Sequence, residues 1–486
     1  MAYVRQNIAE LEGTWNPTML WYARAMAEMW RRPINDRRSW RYLAAIHGID
    51  LATNGWAGQG IFDPSQESLP DASERDEMWD QCQHAGWYFL PWHRGYVAAF
   101  EAIVAQTVQE LGGPGDWALP YWNYFDESNS NARRIPAAFS EPWLPDGSGN
   151  PLAMFARTPT QALTTLLTGS DINLDSMSRT HFTGSPGASG LGGSPTGFTQ
   201  FGPEGSAGAL ENNPHNFVHV MAGGFGGYLS DPNYAALDPL FWLHHCNIDR
   251  LWSAWLTQSS KLQENGAAWL EGPSPRQFVM PKTDGGLQVF VPSEALPGGR
   301  LDSSYDDLYR GTGIAPPPST VPAAVAPSSK GNVMAAQFSS KKVPEPQLLG
   351  SNHEQLTVGL APIATQVRLA AGALPAAASA YRVYASLEGV KGVAPSGSLS
   401  VSVTIPGKSQ AQRAEAAVLF GLQKASTEHG SNGLNISVDI TEQIRVIAEQ
   451  EGAMPETIEV RVQQASPLAV GTISVSKVSI IRQTDT

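Results

Sequence analysis

Apolar residues recur at helical spacing through the first two thirds of the chain, and at alternate positions in the last third. A first helix is predicted over residues 39–47, where Trp40, Leu43 and His47 share one face. Gly48 follows directly and is a common terminator of helices. The pattern therefore places a histidine at the end of a helix that has an apolar face.

Three more helices are predicted around histidine residues, over 91–111, 214–220 and 238–256. The last of them begins with Asp238 as its N-cap and Pro239 in its first turn. The first carries an apolar stripe that includes a histidine: His93, Val97, Phe100, Val104 and Leu111.

Period-two alternation dominates the last third of the chain, and turn residues separate its segments. Five strands are predicted there, over residues 381–387, 399–405, 434–440, 457–462 and 472–478. This spacing is typical of an antiparallel β-sandwich. The prediction is a mainly α domain with long loops, followed by an all-β sandwich.

Composition along the chain suggests where these parts divide. Residues 314–345 begin with a proline-rich stretch and are predicted to be a stiff linker. We therefore expect a catalytic domain over 1–313 and a C-terminal sandwich over 346–486. The Gly/Ser-rich stretch 183–210 is expected to be a mobile surface loop.

The overall charge excludes one class of partner. The 486 residues carry a formal net charge of −13, whereas nucleic-acid binding needs a basic surface. The chain has no apolar run of eighteen residues and no visible signal peptide, so no membrane partner is expected and a cytoplasmic location is favoured, with export alongside a helper protein left open. Its two cysteines exclude a disulfide framework.

Candidate chemistry lies in two sets of histidines that use most of the ten in the chain. The first set is His47, His84 and His93, the last of which lies in the first turn of its predicted helix. Cys82 precedes His84 by two residues, so in an extended segment the two side chains share a face. Cys82 is either a buried thiol or the partner of His84 in a covalent thioether.

The second set combines His215 and His219, four residues apart on one helix face, with His245. Adjacent helical residues point about 100° apart, so His244 and His245 do not bind the same ion, and the apolar stripe favours His245. His244 is then a packed histidine. Asp249 follows His245 by one turn and either orients its free ring nitrogen or forms a salt bridge with an arginine such as Arg250.

The donor set indicates which metals fit. Three neutral imidazoles for each ion, without carboxylate or thiolate, suit copper that cycles between its two oxidation states. Zinc also accepts imidazole, but paired zinc ions usually share bridging carboxylates. We therefore predict two copper ions that act on dioxygen, and keep a two-zinc hydrolase as an alternative.

These motifs resemble those of the type-3 copper family, which includes tyrosinases, catechol oxidases and haemocyanins. The matching stretches are Cys82-x-His84, Phe89-Leu-Pro-Trp-His93-Arg, Glu211-Asn-Asn-Pro-His215-Asn-Phe-Val-His219 and Asp238-Pro-Leu-Phe-Trp-Leu-His-His245-Cys-Asn-Ile-Asp249-Arg. The resemblance implies a four-helix bundle around a dicopper centre. It also agrees with His245 as the ligand of the pair and with a Cys82–His84 thioether.

The same resemblance implies how the site would act. The expected activity is that of a tyrosinase, which hydroxylates monophenols and oxidises o-diphenols to o-quinones with O2. Glu211 and Asn216 resemble the pair that holds a water in members active on monophenols, and Val220, Phe225 and Phe241 are candidate pocket residues. The C-terminal sandwich resembles the covering domain of plant polyphenol oxidases.

Alternatives remain at this stage. Within the same fold, a catechol oxidase, an o-aminophenol oxidase and a haemocyanin-like O2 carrier use the same ligands. Phe420 is a candidate plug of the site, although a phenylalanine is more commonly an ordinary core residue. O2 and a small phenol are the expected partners, and a homo-oligomer and a copper chaperone are both compatible with the sequence.

Overall fold

A computed structural model describes residues 4–52, 54–153, 172–201, 205–224, 226–316, 337–338, 345–370, 381–394, 397–428, 432–453, 455–465 and 472–484. Its helices, numbered in chain order, are α1 Pro17–Arg31, α2 Trp40–His47, α3 Ala72–Met78, α4 Phe89–Glu110, α5 Phe217–Gly223, α6 Leu240–Leu256, α7 Ala267–Leu270, α8 Leu422–Thr427 and α9 Thr441–Glu451. The predicted helices correspond to α2, α4, α5 and α6. A helical region up to residue 316 is thus confirmed, whereas its arrangement as a four-helix bundle stays a prediction.

Local signals explain where these helices begin and end. The Ser39 side chain accepts a hydrogen bond from the backbone of Tyr42 and caps α2, and Gly48 closes it. The Asp238 carboxylate accepts from the backbone N–H of Leu240 at 2.9 Å at the start of α6. The predicted cap of α2 is confirmed, whereas α6 begins one residue later than predicted, with Pro239 at its N-cap position and Asp238 directly before it.

Aromatic packing holds α4 against α6. The rings of Phe100 and Trp242 are stacked with centroids 3.5 Å apart, and both side chains are fully buried. Trp40 of α2 meets the Phe100 ring edge-on at 5.2 Å. Three ligand-bearing helices therefore share one aromatic core, which sets the positions of their histidines.

A wide π turn precedes α5. It spans Glu211–Asn216 and is interrupted at Asn213, whose backbone is extended with φ −147° and ψ 121°. The sequence predicted a regular helix from Pro214, so the first turn of that prediction is corrected. The π turn brings the side chains of Glu211 and His215 into the interior, where both are buried.

The stretch 183–210 was predicted to be a mobile surface loop, and its described residues show that this was wrong. Leu191 and Ser194 are fully buried. A Cβ on Gly190 would lie 2.5 Å from the carbonyl oxygen of Phe182, and one on Gly208 would lie 2.3 Å from that of Leu191. Glycine is needed here for close backbone packing, the opposite of what the composition suggested.

The strands are β1 Val4–Arg5, β2 Leu262–Gln263, β3 Phe278–Pro281, β4 Leu287–Phe290, β5 Ser304–Tyr305, β6 Gln337–Phe338, β7 Gln347–Asn352, β8 Leu356–Val358, β9 Ile363–Arg368, β10 Tyr381–Val390, β11 Ser398–Thr404, β12 Gln412–Arg413, β13 Ala417–Val418, β14 Leu434–Asp439, β15 Thr457–Gln464, β16 Ile473–Val475 and β17 Lys477–Thr484. In the strand-rich region, residues 345–484, one antiparallel sheet has the order β14-β10-β17-β7. A second has the order β12-β11-β15-β9, with β13 also paired to β11. Four of the five predicted strands are confirmed as β10, β11, β14 and β15, whereas the fifth, 472–478, is divided between β16 and the start of β17, which lie in different sheets.

Alternating burial along these strands explains why the period-two pattern of the sequence predicted them. In β15, Ile458, Val460 and Val462 are fully buried while the residues between them are partly exposed. Because side chains alternate between faces, each sheet places one apolar face in the core. The predicted linker, residues 314–345, lies mostly outside the described residues, so the domain division stays a prediction.

The strand-rich region packs against the helical region through polar contacts as well as apolar ones. Arg179 donates to the Tyr384 hydroxyl at 2.7 Å and forms an ion pair with Asp439 at 3.2 Å. Among the helices described, none is both long and apolar enough to cross a bilayer.

Candidate dinuclear metal site

Two buried groups of side chains have the donor atoms of a metal site. In each group the candidate ligand atoms lie within 4.8 Å of one another. The groups are His47, Cys82, His84 and His93, and His215, His219, His244 and His245. The structure thus brings together all six histidines singled out from the sequence and adds His244.

The first group is assembled from three elements. His47 is the last residue of α2, and His93 lies in the first turns of α4. His84 comes from the loop between them, and its ring centroid lies 5.6 Å from that of His47 and 5.3 Å from that of His93.

The second group lies on the facing elements. His215 ends the π turn, His219 is in α5 and His245 is in α6. The rings of His93 and His245 are stacked with centroids 4.4 Å apart. The two groups are therefore neighbours, which is the arrangement a dinuclear centre requires.

Backbone carbonyl groups fix the orientation of three of the rings. The Nδ1 of His47, His93 and His219 lies 2.9, 2.8 and 2.8 Å from the carbonyl oxygens of Pro232, Phe89 and Leu229, respectively. A carbonyl oxygen only accepts, so each Nδ1 carries the proton and each Nε2 keeps a free lone pair.

Side chains hold two further rings in the same way. The Nδ1 of His84 donates to Glu211 Oε1 at 3.0 Å, and the Nδ1 of His215 donates to Asn216 Oδ1 at 2.9 Å. The other oxygen of Glu211, Oε2, is buried and has no hydrogen-bond partner among the described residues.

The Nε2 atoms show what the rings are arranged to bind. Those of His47, His84 and His215 are buried without a partner in the part of the chain that the structure describes. Those of His219 and His245 lie 3.2 Å apart. Metal–nitrogen bonds of about 2.0 Å at a tetrahedral angle would place two ligand nitrogens about 3.3 Å apart, so this spacing fits a shared ion.

Burial keeps the imidazoles neutral. It lowers the pKa of His219 to about 3 and lowers the pKa of His47, His93, His215 and His245 well below the ordinary value. Neutral imidazole is the form that binds a metal. Three neutral imidazoles for each ion, without a carboxylate, fit copper, so the residues of this site are suited to hold two copper ions.

Cys82 contacts a different histidine from the one predicted. Its Sγ lies 3.3 Å from Nε2 of His93, and burial raises the pKa of its thiol well above the ordinary value. The predicted thioether to His84 is not tested by this contact and stays a prediction. Cys82 and Cys246 are both free, as expected from the sequence.

The sequence left two roles open for Asp249, orienting His245 or pairing with an arginine, and the structure shows the second. Nδ1 of His245 has no partner among the described residues. Instead the carboxylate accepts from Arg94 Nε, from Arg5 Nη1 at 3.1 Å and from the Tyr305 hydroxyl. Both arginines are positively charged, and charged donors bind a carboxylate more strongly than a neutral imidazole does.

Among the predicted pocket residues, Phe241 is fully buried. Its ring lies 4.2 Å from that of His245 and 4.9 Å from that of His47, so it packs between the two groups as a core residue. Val220 is partly buried on α5. Phe225 lies outside the described residues.

Phe420, the candidate plug, lies directly over the site. Its ring stacks on His219 with centroids 4.5 Å apart at 29°, and meets His84 and His215 edge-on at 5.5 and 5.9 Å. It comes from the strand-rich region, and it is 2% exposed. A second phenylalanine, Phe201, stacks on His84 at 4.7 Å and was missed, because nothing in the loop sequence marks it.

Two family models match the chain. The common central domain of tyrosinase matches residues 37–258, which contain all six predicted ligands. A domain of unknown function, DUF7868, matches residues 345–483.

Known proteins are similar over different shares of the chain. Tyrosinase HcTyr1 from Hahella sp. (strain CCB-MM4) is 32% identical over 507 aligned positions, covering 99% of both chains. A chloroplastic polyphenol oxidase from Malus domestica is 27% identical in an alignment that covers 51% of this chain and 40% of that protein.

Among solved structures, latent apple tyrosinase aligns with a TM-score of 0.60 over 99% of this chain and 97% of its own, at 18% identity. A latent aurone synthase aligns with a TM-score of 0.61 over 99% of this chain and 90% of its own, at 17% identity. At these identities the likeness concerns the fold, and it extends over the helical and the strand-rich regions together.

Proposed function

The chain belongs to the tyrosinase family of dicopper oxidoreductases, and from that premise we propose that it hydroxylates monophenols as well as oxidising o-diphenols. The Hahella relative, similar over its whole length, is named a tyrosinase, which favours this activity. The observation that carries the proposal is Oε2 of Glu211, which is buried beside a histidine of the first group and has no hydrogen-bond partner in the described part of the chain.

In this proposal each histidine group holds one copper ion. His47, His84 and His93 would hold one ion, and His215, His219 and His245 would hold the other. His244 stays outside the proposed ligand set because its neighbour His245 takes that position, with its Nε2 3.2 Å from Nε2 of His219. When bound, the two ions supply the redox chemistry by which dioxygen reacts with a phenol.

Glu211 and Asn216 act on the proton of the substrate. A monophenol has a pKa of about 10, so a group of the protein has to accept its proton before it can react as a phenolate. Glu211 Oε1 is occupied by His84 and by the backbone N–H of Ala85, so Oε2 is left to accept that proton directly or through one water. Asn216 holds the ring of His215 through its Oδ1.

The strand-rich region acts as a cover in this proposal. The Phe420 ring takes the face of His219 on which an incoming aromatic ring would stack, so the docked chain admits no phenol. We expect the full-length protein to be latent until the cover moves or is cut in the linker over 314–345. Val220 and Phe225 remain proposed pocket residues, whereas Phe241 is fully buried between the two histidine groups.

Oxygen uptake on the copper-loaded full-length chain tests both parts. After brief proteolysis in the linker, 4-methylphenol and 4-methylcatechol should both consume O2, whereas the uncut chain should be slow with either. Uptake with the catechol alone would make the protein a catechol oxidase. The matching measurement with 2-aminophenol would identify an o-aminophenol oxidase.

A reversible O2 carrier is the second candidate, and the placement of Phe420 over the site is the observation that favours it. A carrier would bind O2 reversibly and stay inactive on catechols even after its cover is removed. The cut chain therefore separates the two functions.

A further inference from the structure

Phe201 has an unusual backbone for a bulky residue. Its φ is +53°, in the left-handed region that non-glycine residues rarely adopt. Its ring is nevertheless buried, with 5% of its surface exposed. Strained residues of this kind persist only where the surroundings hold them, and they concentrate at functional sites.

The Phe201 ring joins a ligand to the plug. It lies flat on His84, with centroids 4.7 Å apart and an interplanar angle of 11°. It also meets the Phe420 ring at 6.3 Å and 62°, which is an edge-to-face arrangement. A Cβ on Gly421 would lie 2.3 Å from the Phe201 ring, so the cover is shaped around this side chain.

The anchors of Phe201 belong to the helical region. The buried Gln200 side chain donates to the carbonyl oxygen of His47 at 3.0 Å. The backbone N–H of Thr199 donates to the side chain of Gln83 at 3.0 Å. These bonds attach Phe201 to the elements that carry His47 and His84, so the ring stays in place when the cover leaves.

We propose that Phe201 is a specificity-determining residue, a fixed aromatic wall against which the phenol ring packs edge to face once Phe420 has left. This inference rests on the proposed phenol oxidase function. The plug is itself an aromatic ring, and a substrate ring that takes its place meets Phe201 in the same geometry. Phe201 thereby selects for a planar ring and limits how wide that ring can be.

The kinetic test uses the full-length, copper-loaded Phe420→Ala chain as an open background. In it, Phe201→Leu should raise the KM for 4-methylcatechol about three- to tenfold and leave kcat within about twofold, because an edge-to-face ring contact is lost. Phe201→Tyr keeps the ring and should restore the KM. Phe198→Leu is the matched control, since Phe198 packs on Arg276 and Phe278 rather than on the site.

Equilibrium binding supplies a readout that needs no turnover. Benzoate and azide are both anions that bind copper, but only benzoate has a ring. Phe201→Leu should weaken the Kd for benzoate by about the same three- to tenfold while the Kd for azide stays unchanged. Absorbance titration measures both, and copper content and thermal unfolding verify that each variant is folded.

The outcomes separate this inference from the proposed function. An unchanged benzoate Kd in Phe201→Leu overturns the inference even if the enzyme oxidises catechols. Equal weakening of benzoate and azide also overturns it, because Phe201 would then act only through His84. A loss confined to benzoate supports the aromatic wall even in a chain that turns over no phenol.

Discussion

Hydrogen bonds at Nδ1 decide how the single histidines can act. Three rings are held by backbone carbonyls, but His84 and His215 are held by Glu211 and Asn216. The two side chains proposed to handle the substrate proton therefore also fix the ligands. A substitution at either position can therefore change both the transfer of the substrate proton and the orientation of a histidine ring.

Replacing Asn216 by glycine separates these two effects. If Asn216 helps to deprotonate the substrate, Asn216→Gly should lower kcat/KM for 4-methylphenol by about ten- to a hundredfold. A positioned general base contributes about a hundred- to ten-thousandfold to the rate, and Asn216 would supply at most a part of that. Turnover of 4-methylcatechol should fall by less than about threefold. Oxygen uptake by the cut, copper-loaded chain measures both.

The same geometry defines the contrary result. Asn216 Oδ1 is the acceptor for His215, so equal losses with both substrates would show that it only orients this ring. Asn212→Gly is the matched control for the added backbone freedom, because the Asn212 side chain contacts the carbonyl of Ala207 rather than a histidine.

The predicted thioether of Cys82 has a signature in mass and in thiol count. Its formation removes two hydrogens, so the copper-loaded chain should be about 2 Da lighter than its sequence mass, as one S–H and one C–H bond are lost. Thiol titration after denaturation should then find only Cys246 of the two cysteines. Two reactive thiols and an unshifted mass would contradict the thioether. The control, Cys82→Ser, should have one reactive thiol and the mass calculated from its sequence.

The sequence was informative about the ligands because their spacing is local. The pair His215 and His219 is four residues apart, and His245 was chosen over His244 by its helical face. Phe201 and the partners of Asp249 were missed because their contacts join distant parts of the chain. Arg5 lies 244 residues from Asp249, and no local pattern encodes such a pair.

Helices α4 and α6 are braced next to their ligands. Arg94 follows His93 on α4, and Asp249 lies one turn after His245 on α6. Their ion pair is almost completely buried, with side chains 1% and 4% exposed. The brace therefore fixes the spacing of the two helices where each contributes a metal ligand.

Removing this charge should destabilise the helical region. Asp249→Asn removes the carboxylate that pairs with Arg94 and leaves Arg5 paired with Glu101, and breaking a buried pair costs about 3–5 kcal/mol. Denaturant unfolding should show this loss, and the copper content after dialysis should fall. Glu442→Gln is the control, since its pair with Arg445 is exposed and is expected to contribute less than about 1 kcal/mol. Equal stability of the two variants would contradict the brace.

At the scale of elements, helices and strands were predictable because each has its own period. The loop over 183–210 was not, because glycine and serine occur both in mobile loops and where backbones pack closely. Gly190 and Gly208 are of the second kind, as a Cβ at either would meet a backbone oxygen. Composition alone does not distinguish these two uses.

At the scale of the whole molecule, the cover is attached beside the site through polar side chains. Glu415 accepts from the amides of Asn173 and Asn213, both at 2.6 Å. Burial raises the pKa of Glu415, the two amide hydrogen bonds and the charge of Arg179 oppose this, and the charge of Asp175 adds to it. Docking of the cover should therefore depend on pH.

The sign follows from which state binds the proton. The docked carboxyl has the higher pKa, so docking is strongest below the ordinary carboxyl value, about 4.3, and weakens as pH rises through the raised value. Cleavage in the linker over 314–345 should accelerate over that window in the parent chain. In Glu415→Gln, which stays neutral, the rate should be flatter.

The control for this pH experiment removes a carboxylate elsewhere. Glu451→Gln changes an exposed residue that pairs with Lys408 within the strand-rich region, and it corrects for the pH dependence of the protease. If Glu415→Gln and Glu451→Gln follow the same profile as the parent, Glu415 does not control docking.

Lys424 is the charged anchor of the cover, and its loss should open the site. It lies one turn after Phe420, is 3% exposed, and donates to the side chains of Asp80 and Asn233 in the helical region. Because Asp80 is partly exposed, losing this pair should cost less than the about 3–5 kcal/mol of a fully buried one. A cost of about 1.4 kcal/mol already raises the open fraction about tenfold. Lys424→Met should therefore oxidise catechol about tenfold faster than the parent without proteolysis.

The control is Lys477→Met, which breaks an ion pair with Glu388 inside the strand-rich region and should leave the enzyme latent. Because Lys424 holds the cover while Phe420 fills the site, the two positions should not be additive. Phe420→Ala alone admits substrate, so adding Lys424→Met to it should change catechol oxidation little. A Lys424→Met chain as latent as its parent, beside an active Phe420→Ala chain, would show that the aromatic contact alone holds the cover in place.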